Sequence, residues 1–269
     1  MTLYLVGLGL YDAKDITLRG LEAVKSCDTI YLEHYTSILA QDKESLEKLY
    51  EKEVQIASRD MVEKEAEEKL ILPAKEKNVA LLIVGDVFGA TTHTDLLVRA
   101  KEAGVNVEVI FNASILNAIG IVGLELYKYG KTTSIVFPDD NWLPETPYEV
   151  IKNNKSLGLH TLCLLDIKVA EPTKEDLIRQ ARGEQVTAAP PRYMTVNQGL
   201  AVLKQIEEKR QDGIITDDMQ VIGVARLGQP DYVIKSGTLK EILEFDFGSP
   251  LHCLIIPGKL HHIEEEALL

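Results

Sequence analysis

Residues 3–10 read LYLVGLGL, a short apolar run that ends in two glycines separated by one residue. An apolar run of this length, bounded by turn residues, is typical of a buried strand. Glycine at positions 7 and 9 would let a ligand approach the backbone, and the N-terminus of a following helix would point at the same place. The stretch predicts the opening strand and turn of an α/β fold. A tight strand-to-helix turn that binds nothing remains an equally simple reading of these residues.

The alternation of strand and helix patterns continues through the first 110 residues. Buried strands are predicted at Leu3–Leu8, Thr29–Leu32, Val54–Ala57, Val79–Val84 and Val105–Ile110. Helices are predicted at Asp15–Ser26, Lys43–Glu51, Asp60–Lys77 and Thr94–Ala103. Strands that alternate with helices favour a parallel sheet. We therefore expect an N-terminal α/β domain, residues 1–111, with a mainly parallel sheet.

The second half is less regular. It begins with a predicted helix at Ser114–Gly123 and contains a turn-rich loop at Pro138–Pro147. Its predicted strands outnumber its predicted helices. The strands are predicted at Thr133–Phe137, Thr161–Ile167, Val221–Ala225, Tyr232–Lys235 and His252–Ile256, and one helix at Asn197–Arg210. We expect a C-terminal α/β domain with a mixed sheet, residues 112–269, and a boundary near residues 111–113.

Composition narrows the class of protein. The longest apolar stretches are shorter than the about 20 residues that a membrane-spanning helix needs, and no basic segment precedes the first strand, so we expect neither a membrane protein nor a signal peptide. The three cysteines lie in apolar contexts without CxxC spacing, which favours free thiols, a cytoplasmic location and no metal site. The net charge of −13 argues against nucleic-acid binding and allows a basic protein partner.

The first glycine motif invites comparison with a dinucleotide-binding turn. Glu33 follows the second strand at about the distance, roughly 20 residues, where an acid would bind a ribose. The third glycine of that motif is absent, because position 12 is aspartate. An NAD-dependent oxidoreductase therefore stays an alternative.

A second motif, GDVFGATTH at residues 85–93, directly follows the apolar strand ending at Val84. Ligands of open α/β sheets bind beyond the carboxyl ends of strands, so Asp86 between two glycines is well placed to hold a nucleoside or an ammonium group. Thr91 or Thr92 would cap the next helix. For His93, a hydrogen bond at the helix start is a simpler role than metal binding or catalysis.

Further candidates lie at strand ends and helix starts. Ser114 is a predicted N-cap, Asp166 ends an apolar strand and is either paired with Lys168 or near a ligand, and His252 alone suggests a core residue. Neither a Ser/His/Asp order nor a zinc-binding spacing occurs. The residues alone predict an α/β enzyme that binds a small nucleoside-like cofactor between two domains.

Several stretches resemble the diphthine synthases, which belong to the tetrapyrrole-methylase-like methyltransferases. The resemblance extends over essentially the whole chain. One departure is Val87, which stands where the family usually has proline. It rests on LYLVGLGLYD at 3–12, DITLRGLE at 15–22, YTS at 35–37, the motif at 85–93, GLHTL at 158–162, LDIK at 165–168 and PRYM at 191–194.

The resemblance implies a homodimeric methyltransferase of diphthamide biosynthesis. Its donor would be S-adenosyl-L-methionine, bound in the cleft between two α/β domains and converted to S-adenosyl-L-homocysteine. Its acceptor would be the modified histidine of elongation factor two. Carried over by position, the cofactor contacts are Leu10, Asp86, Gly89, Ser114, Ile115, Leu165, Leu227 and His252. Asp86 would bind the ribose hydroxyls or the methionine ammonium, and the aliphatic residues would form apolar walls.

Two features, Gly89 and the insertion Pro172–Arg192, resemble the eukaryotic enzymes of this family. For these enzymes the resemblance implies trimethylation of an amine and esterification of a carboxylate. Archaeal relatives make the three amine transfers only, which remains an alternative. No general base is assigned, although His34, Tyr35 and His93 are candidates. A tetrapyrrole methylase and a binding protein without catalysis are the remaining alternatives.

Overall fold

The computed structural model describes residues 1–33, 35, 39–40, 42–139, 142–168 and 191–268. Within it the chain forms two compact units, Met1–Ile119 and Gly120–Leu269. The first unit extends beyond residues 111–113 because Asn112 and Ser114 contact its turns. The backbone N–H of Asn112 donates to Asp86, and Ser114 packs against Gly89. The domain limits expected at residues 111 and 112 stay a prediction.

A five-stranded parallel sheet forms the centre of the first unit, as predicted. Its strands are β1 (Thr2–Gly7), β2 (Thr29–Glu33), β3 (Val54–Ala57), β4 (Val79–Ile83) and β5 (Asn106–Ile110), in the order β3-β2-β4-β1-β5. Every pairing between them is parallel. Both faces are covered, which explains why β4 is apolar and buried at every position.

The helices of the first unit are α1 (Leu18–Ser26), α2 (Lys43–Tyr50), α3 (Arg59–Glu63), α4 (Thr94–Glu102) and α5 (Ile115–Ala118). One apolar cluster joins the sheet to α1 and α2, and another joins it to α3 and α4. Because α1 follows β1 and α4 follows the neighbouring β4 onto the opposite face, the turns after β1 and β4 lie at a topological switch point. Ligands of open α/β sheets bind at such points.

Three predicted helices differ from the structure. The helix predicted at Ser114–Gly123 is α-helical only at Ile115–Ala118 and continues as a 3-10 turn at Ile119–Val122. The segment predicted as one helix, Asp60–Lys77, consists of α3, a π-helical turn at Glu67–Ile71 and a 3-10 turn at Pro73–Lys75. Pro73 has no N–H to continue an α-helical ladder. The helix predicted to begin at Asp15 begins at Leu18, since the Thr17 hydroxyl accepts from the N–H of Gly20 and caps it there.

The second unit has a mixed sheet, which confirms the predicted class. In chain order its strands are β6 (Thr133–Ile135), β7 (Thr161–Leu165), β8 (Ile167–Lys168), β9 (Arg192–Tyr193), β10 (Gln220–Ala225), β11 (Val233–Thr238) and β12 (His252–Ile256). The main sheet has the order β11-β10-β12-β7-β6, in which only β6 and β7 are parallel. β8 and β9 form a separate antiparallel pair.

Helices α6 (Thr146–Ser156), α7 (Val196–Arg210), α8 (Leu239–Leu243) and α9 (His262–Ala267) complete the second unit. The helix predicted at Asn197–Arg210 is confirmed as α7, whereas α6 was not predicted. Pro147, taken as the end of a loop, lies in the first turn of α6, where proline is well tolerated. Among the helices of the described residues, none combines the length and the apolar character that a membrane span requires.

Candidate functional site

The two glycine motifs meet at the switch point of the first unit. Gly9 and Gly85 exchange backbone hydrogen bonds, with the Gly9 N–H 3.1 Å from the Gly85 oxygen and the Gly85 N–H 2.7 Å from the Gly9 oxygen. Their φ angles are +82° and +87°, in the left-handed region that side chains disfavour. The turn after β1 and the turn after β4 are thereby held together.

Asp86 fixes the second turn through both carboxylate oxygens. Oδ1 accepts from the N–H of Phe88 and Oδ2 from the N–H of Asn112, each at 3.0 Å. A carboxylate offers about four lone-pair positions, so each oxygen can accept a further bond. The side chain is half-buried, and it can therefore bind a hydroxyl or an ammonium group while remaining locked in place.

Asn112, for which the sequence predicted no role, connects three turns. Its side-chain Nδ2 donates to the carbonyl oxygens of Gly7 and Asp15, both at 3.0 Å, while its backbone N–H binds Asp86. The only sequence signal is its place between β5 and the N-cap Ser114. The asparagine thus aligns the segments after β1 and β4 with the one after β5.

Asp15 is a second residue that the sequence reading missed. Its Oδ2 accepts from the N–H groups of Leu10 at 3.1 Å and Tyr11 at 2.8 Å, which sets the backbone of the turn after Gly9. A Cβ atom at Gly9 would lie 2.5 Å from the Cβ of Asp15. Because the N–H of Leu10 already donates to Asp15, a ligand can contact Leu10 through its carbonyl oxygen and its half-buried side chain.

Gly89 and Ser114 pack directly against each other. A Cβ atom added to Gly89 would lie 2.6 Å from the Cβ and 2.7 Å from the Oγ of Ser114. Ser114 caps α5 in a capping box with Asn117, which confirms its predicted N-cap role, and the half-buried Ile115 begins the helix. The structure therefore brings the turn that carries Asp86 and Gly89 against Ser114.

The candidates of the second unit lie at one edge of its main sheet, where β7 and β10 end and β12 begins. His252 begins β12 and pairs with Ala225 at the end of β10, and Leu227 follows two residues later. Leu165 ends β7, one position beyond Leu164, which pairs with Cys253. The same sheet edge thus carries Leu165, Leu227 and His252.

Arg226 organises this edge, although the sequence reading gave it no role. Its Nη1 donates to the carbonyl oxygens of Phe247 at 2.8 Å and Ser249 at 2.7 Å. His252 Nε2 lies 2.9 Å from the same Ser249 oxygen, and its Nδ1 accepts from the N–H of Val196. These partners assign a proton to Nε2 alone. Burial lowers the pKa of His252, in agreement with a neutral ring.

Asp166 has a structural role at the same edge. Its Oδ2 accepts from the N–H of Phe137 at 2.9 Å, and its carbonyl accepts from the N–H of Met194. In the described part of the chain no ion pair joins it to Lys168, whose ammonium lies 5.8 Å from the centre of the Phe137 ring. The pairing with Lys168 that the sequence suggested is therefore wrong.

Glu33 and His93 form a buried ion pair in the first unit. His93 Nε2 lies 2.6 Å from Glu33 Oε2, and Nδ1 lies 3.0 Å from the carbonyl oxygen of Val87. Burial alone would lower the pKa of His93, but the hydrogen bond and charge of Glu33 outweigh burial and raise it. The Thr91 hydroxyl donates to the same Val87 oxygen. The pair fastens the loop at residues 85–93 to the end of β2.

This geometry corrects two expectations. His93 makes no side-chain bond at the helix start, and neither Thr91 nor Thr92 is the N-cap of α4. Glu33, taken as a possible ribose ligand in the dinucleotide reading, is 1% exposed and faces His93. Burial also raises the pKa of Tyr35. His34, residues 36–37 and residues 172–190 of the insertion lie outside the described residues.

The tetrapyrrole (corrin/porphyrin) methylase family matches residues 2–243. The chain belongs to this family. It is thus a methyltransferase, and the NAD-dependent alternative is wrong.

Relatives of this methylase place it more finely. A diphthine methyl ester synthase of Schizosaccharomyces pombe is 52% identical, covering 98% of this chain and 92% of the relative. One of Dictyostelium discoideum is 51% identical, covering 99% and 96%. The crystal structure of a diphthine synthase is 35% identical with a TM-score of 0.82, covering 100% of this methylase and 94% of that chain. The resemblance to the diphthine synthases is thereby confirmed.

Proposed function

We propose that this methyltransferase makes diphthine methyl ester on the modified histidine of elongation factor two, using S-adenosyl-L-methionine. The amine would be trimethylated and the carboxylate esterified. The observation that carries the proposal is the identity of about half of all residues to diphthine methyl ester synthases across nearly the whole chain. The named product of those relatives is the ester, which favours esterification over the archaeal set of three transfers.

The residues of the first unit fit such a donor. The half-buried carboxylate of Asp86 has acceptor positions left for ribose hydroxyls or an ammonium group, and the half-buried Leu10 and Ile115 supply apolar surface. Gly89 leaves the turn without a side chain beside Ser114. In the second unit Leu165, Leu227 and His252 would make the remaining contacts. The cleft between domains stays a prediction.

The donor would supply an electrophilic methyl group on sulfur, so the protein needs neither a metal nor a covalent intermediate. Its own residues have to bind, orient the acceptor and exclude water. Correct positioning can contribute about 7–11 kcal/mol to the lowering of the barrier. The hydrogen bonds that hold Asp86, and the ion pair that holds its loop, serve this positioning.

Neither of the two described candidates for a general base, His93 and Tyr35, is well suited to that role. His93 is a proton donor to Glu33 and to a carbonyl, and its pKa is raised. The raised pKa of Tyr35 keeps its phenol protonated. We therefore propose that the acceptor amine loses its proton to water.

The proposal includes a cytoplasmic homodimer. Free, buried thiols at Cys27, Cys163 and Cys253 suit a reducing compartment. Light scattering should give about twice the chain mass of 29.9 kDa. A monomer mass would contradict the dimer without affecting the proposed chemistry.

The test is transfer of labelled methyl groups from S-adenosyl-L-methionine to modified elongation factor two, together with calorimetry. Asp86→Ala should weaken donor binding by about tenfold or more, since hydrogen bonds to a charged group are lost. Asp95→Ala, which removes an exposed acid from α4, is the matched control and should bind normally. Tight NAD binding without any response to S-adenosyl-L-homocysteine would overturn the proposed donor.

A further inference from the structure

Two positive side chains share one rung of the β8–β9 ladder. Lys168 pairs with Arg192 in the antiparallel register, and both side chains are exposed. Both also lie against one aromatic ring, with Lys168 Nζ 5.8 Å and Arg192 Cζ 4.3 Å from the centre of Phe137. Like charges directly opposite each other in a ladder are destabilising. The arrangement therefore costs free energy unless an anion binds to it.

No described carboxylate balances this cation pair. Asp166, the nearest acid in sequence, binds the N–H of Phe137, and across the residues that the structure describes neither cation forms an ion pair. The chain as a whole is acidic, with 42 acids and 29 lysines and arginines. Among the described residues, two cations on one ring without an acidic partner are thus a local feature and not part of a generally basic surface.

The cation pair is also preorganised. The face of an aromatic ring attracts cations, and the Phe137 ring, only 8% exposed, is fixed in the core of the second unit. The two head groups are thereby held near each other before any ligand arrives. Preorganised charges bind an anion with less loss of side-chain freedom.

The pair lies at the sheet edge that carries the proposed donor contacts of this unit. Ile135 of β6 pairs with Leu165, and Phe137 follows two residues later. Lys168 follows Leu165 by three residues. An anion on the cation pair would therefore be held beside Leu165, at the edge where His252 also lies.

We infer that Lys168 and Arg192 bind the carboxylate of the acceptor side chain. The inference rests on the proposed function, because a methyl ester can only be made from an acceptor that carries a carboxylate. The planar guanidinium of Arg192 matches the two oxygens of such a group. Esterification removes the negative charge, so the same pair attracts the substrate and releases the finished ester.

The test compares two double variants that each remove two positive charges. Lys168→Gln with Arg192→Gln removes the cation pair. Lys235→Gln with Lys240→Gln removes exposed charges from α8 and from β11, the edge strand of the main sheet farthest from β6. The measurements are KM and kcat for modified elongation factor two, donor affinity by calorimetry and thermal unfolding.

Loss of the cation pair should raise KM for the acceptor about tenfold and weaken its dependence on salt. Donor affinity should be unchanged, and the melting temperature should be equal or higher because a repulsion is removed. The control should behave as the unaltered protein, and Arg192→Lys should retain part of the acceptor affinity.

An unchanged KM in the cation-pair variant, or an equal rise in the control, would overturn the inference. A parallel loss of donor affinity would also overturn it, because the residues would then act on the donor. These outcomes differ from failure of the proposed function, in which the unaltered protein itself transfers no methyl group to the factor.

Discussion

Each unit buries a carboxylate against a histidine, yet the two pairs differ in charge. In the first unit both ring nitrogens of His93 face oxygens, those of Glu33 and Val87, so the ring is a charged donor. In the second unit His160 Nε2 lies 2.9 Å from Glu264, but Nδ1 accepts from the N–H of Gly258. His160 is therefore neutral. The backbone partner of Nδ1 therefore decides the charge of each histidine. It is a carbonyl oxygen at His93 and an N–H group at His160.

The two pairs also hold different parts of the molecule. Glu264 accepts from the backbone N–H groups of Glu125 and His261 and from the ammonium of Lys128, which fastens the final helix, α9. The Glu33–His93 pair fastens the loop that carries Asp86 and Gly89. Damage to the arrangement around Glu264 should therefore affect stability, and damage to the Glu33–His93 pair should also affect donor binding.

The largest expected effect is that of Glu264→Ala. It leaves the half-buried Lys128 and the two backbone N–H groups without their acceptor, so the free energy of unfolding should fall by about 4 kcal/mol. Glu265→Ala, which removes an exposed neighbour in α9, should change little. Denaturant unfolding measures both. Equal stability of the two variants would break the comparison, as would weakened donor binding in folded Glu264→Ala.

The dependence of stability on acidic pH should show the contribution of Glu264. Burial alone would raise the pKa of Glu264, but hydrogen bonds from Lys128, Glu125, His261 and His160 outweigh burial and lower it to about 2. A depressed carboxyl pKa stabilises the fold fully above the unfolded value, about 4.3, and this stabilisation is lost as pH falls to about 2. The stability gap between Glu264→Ala and the unaltered protein should close across that range.

His93→Gln should have a smaller effect, about 2 kcal/mol, because glutamine can still donate to Glu33 or to the Val87 carbonyl. A raised histidine pKa stabilises the fold fully below the unfolded value, about 6.5, and this contribution is lost as pH rises through the folded pKa. The unaltered protein should therefore lose stability as the pH rises above about 6.5, and His93→Gln should lose less.

His160→Gln is the matched variant of the other pair. Because Nδ1 of His160 accepts a hydrogen bond and carries no proton, its replacement should leave the loss of stability above about pH 6.5 in place. Only His93→Gln should also weaken binding of S-adenosyl-L-methionine. Identical pH profiles for the two variants would show that the backbone partners do not set the charge states.

The residues that sequence could predict are those with local signals. Apolar runs located the strands of both sheets, and Ser114 beside a strand end was predicted as an N-cap. Glu33 and His93 lie in segments sixty positions apart and meet only because β2 and β4 are neighbours. Asn112 likewise joins three turns that are distant in sequence. Such long-range side-chain contacts leave no periodic pattern, which is why their roles required the structure.

The smallest expected effect on stability is that of Gly89→Ala. The added Cβ would lie 2.6 Å from that of Ser114, and relief of this overlap should cost about 1 kcal/mol of stability. The turn has to shift, so donor affinity should fall more than stability does. Full affinity in Gly89→Ala would show that this turn does not contact the donor.

Esterification is tested most directly by the intact mass of elongation factor two that bears the 3-amino-3-carboxypropyl group on its histidine. After incubation with this methyltransferase and S-adenosyl-L-methionine, the factor should gain the mass of a trimethylated amine and one methyl ester. Mild base should remove only the ester methyl. A product that stops at the base-stable trimethylated amine would contradict esterification, and an unchanged mass would contradict the proposed function itself.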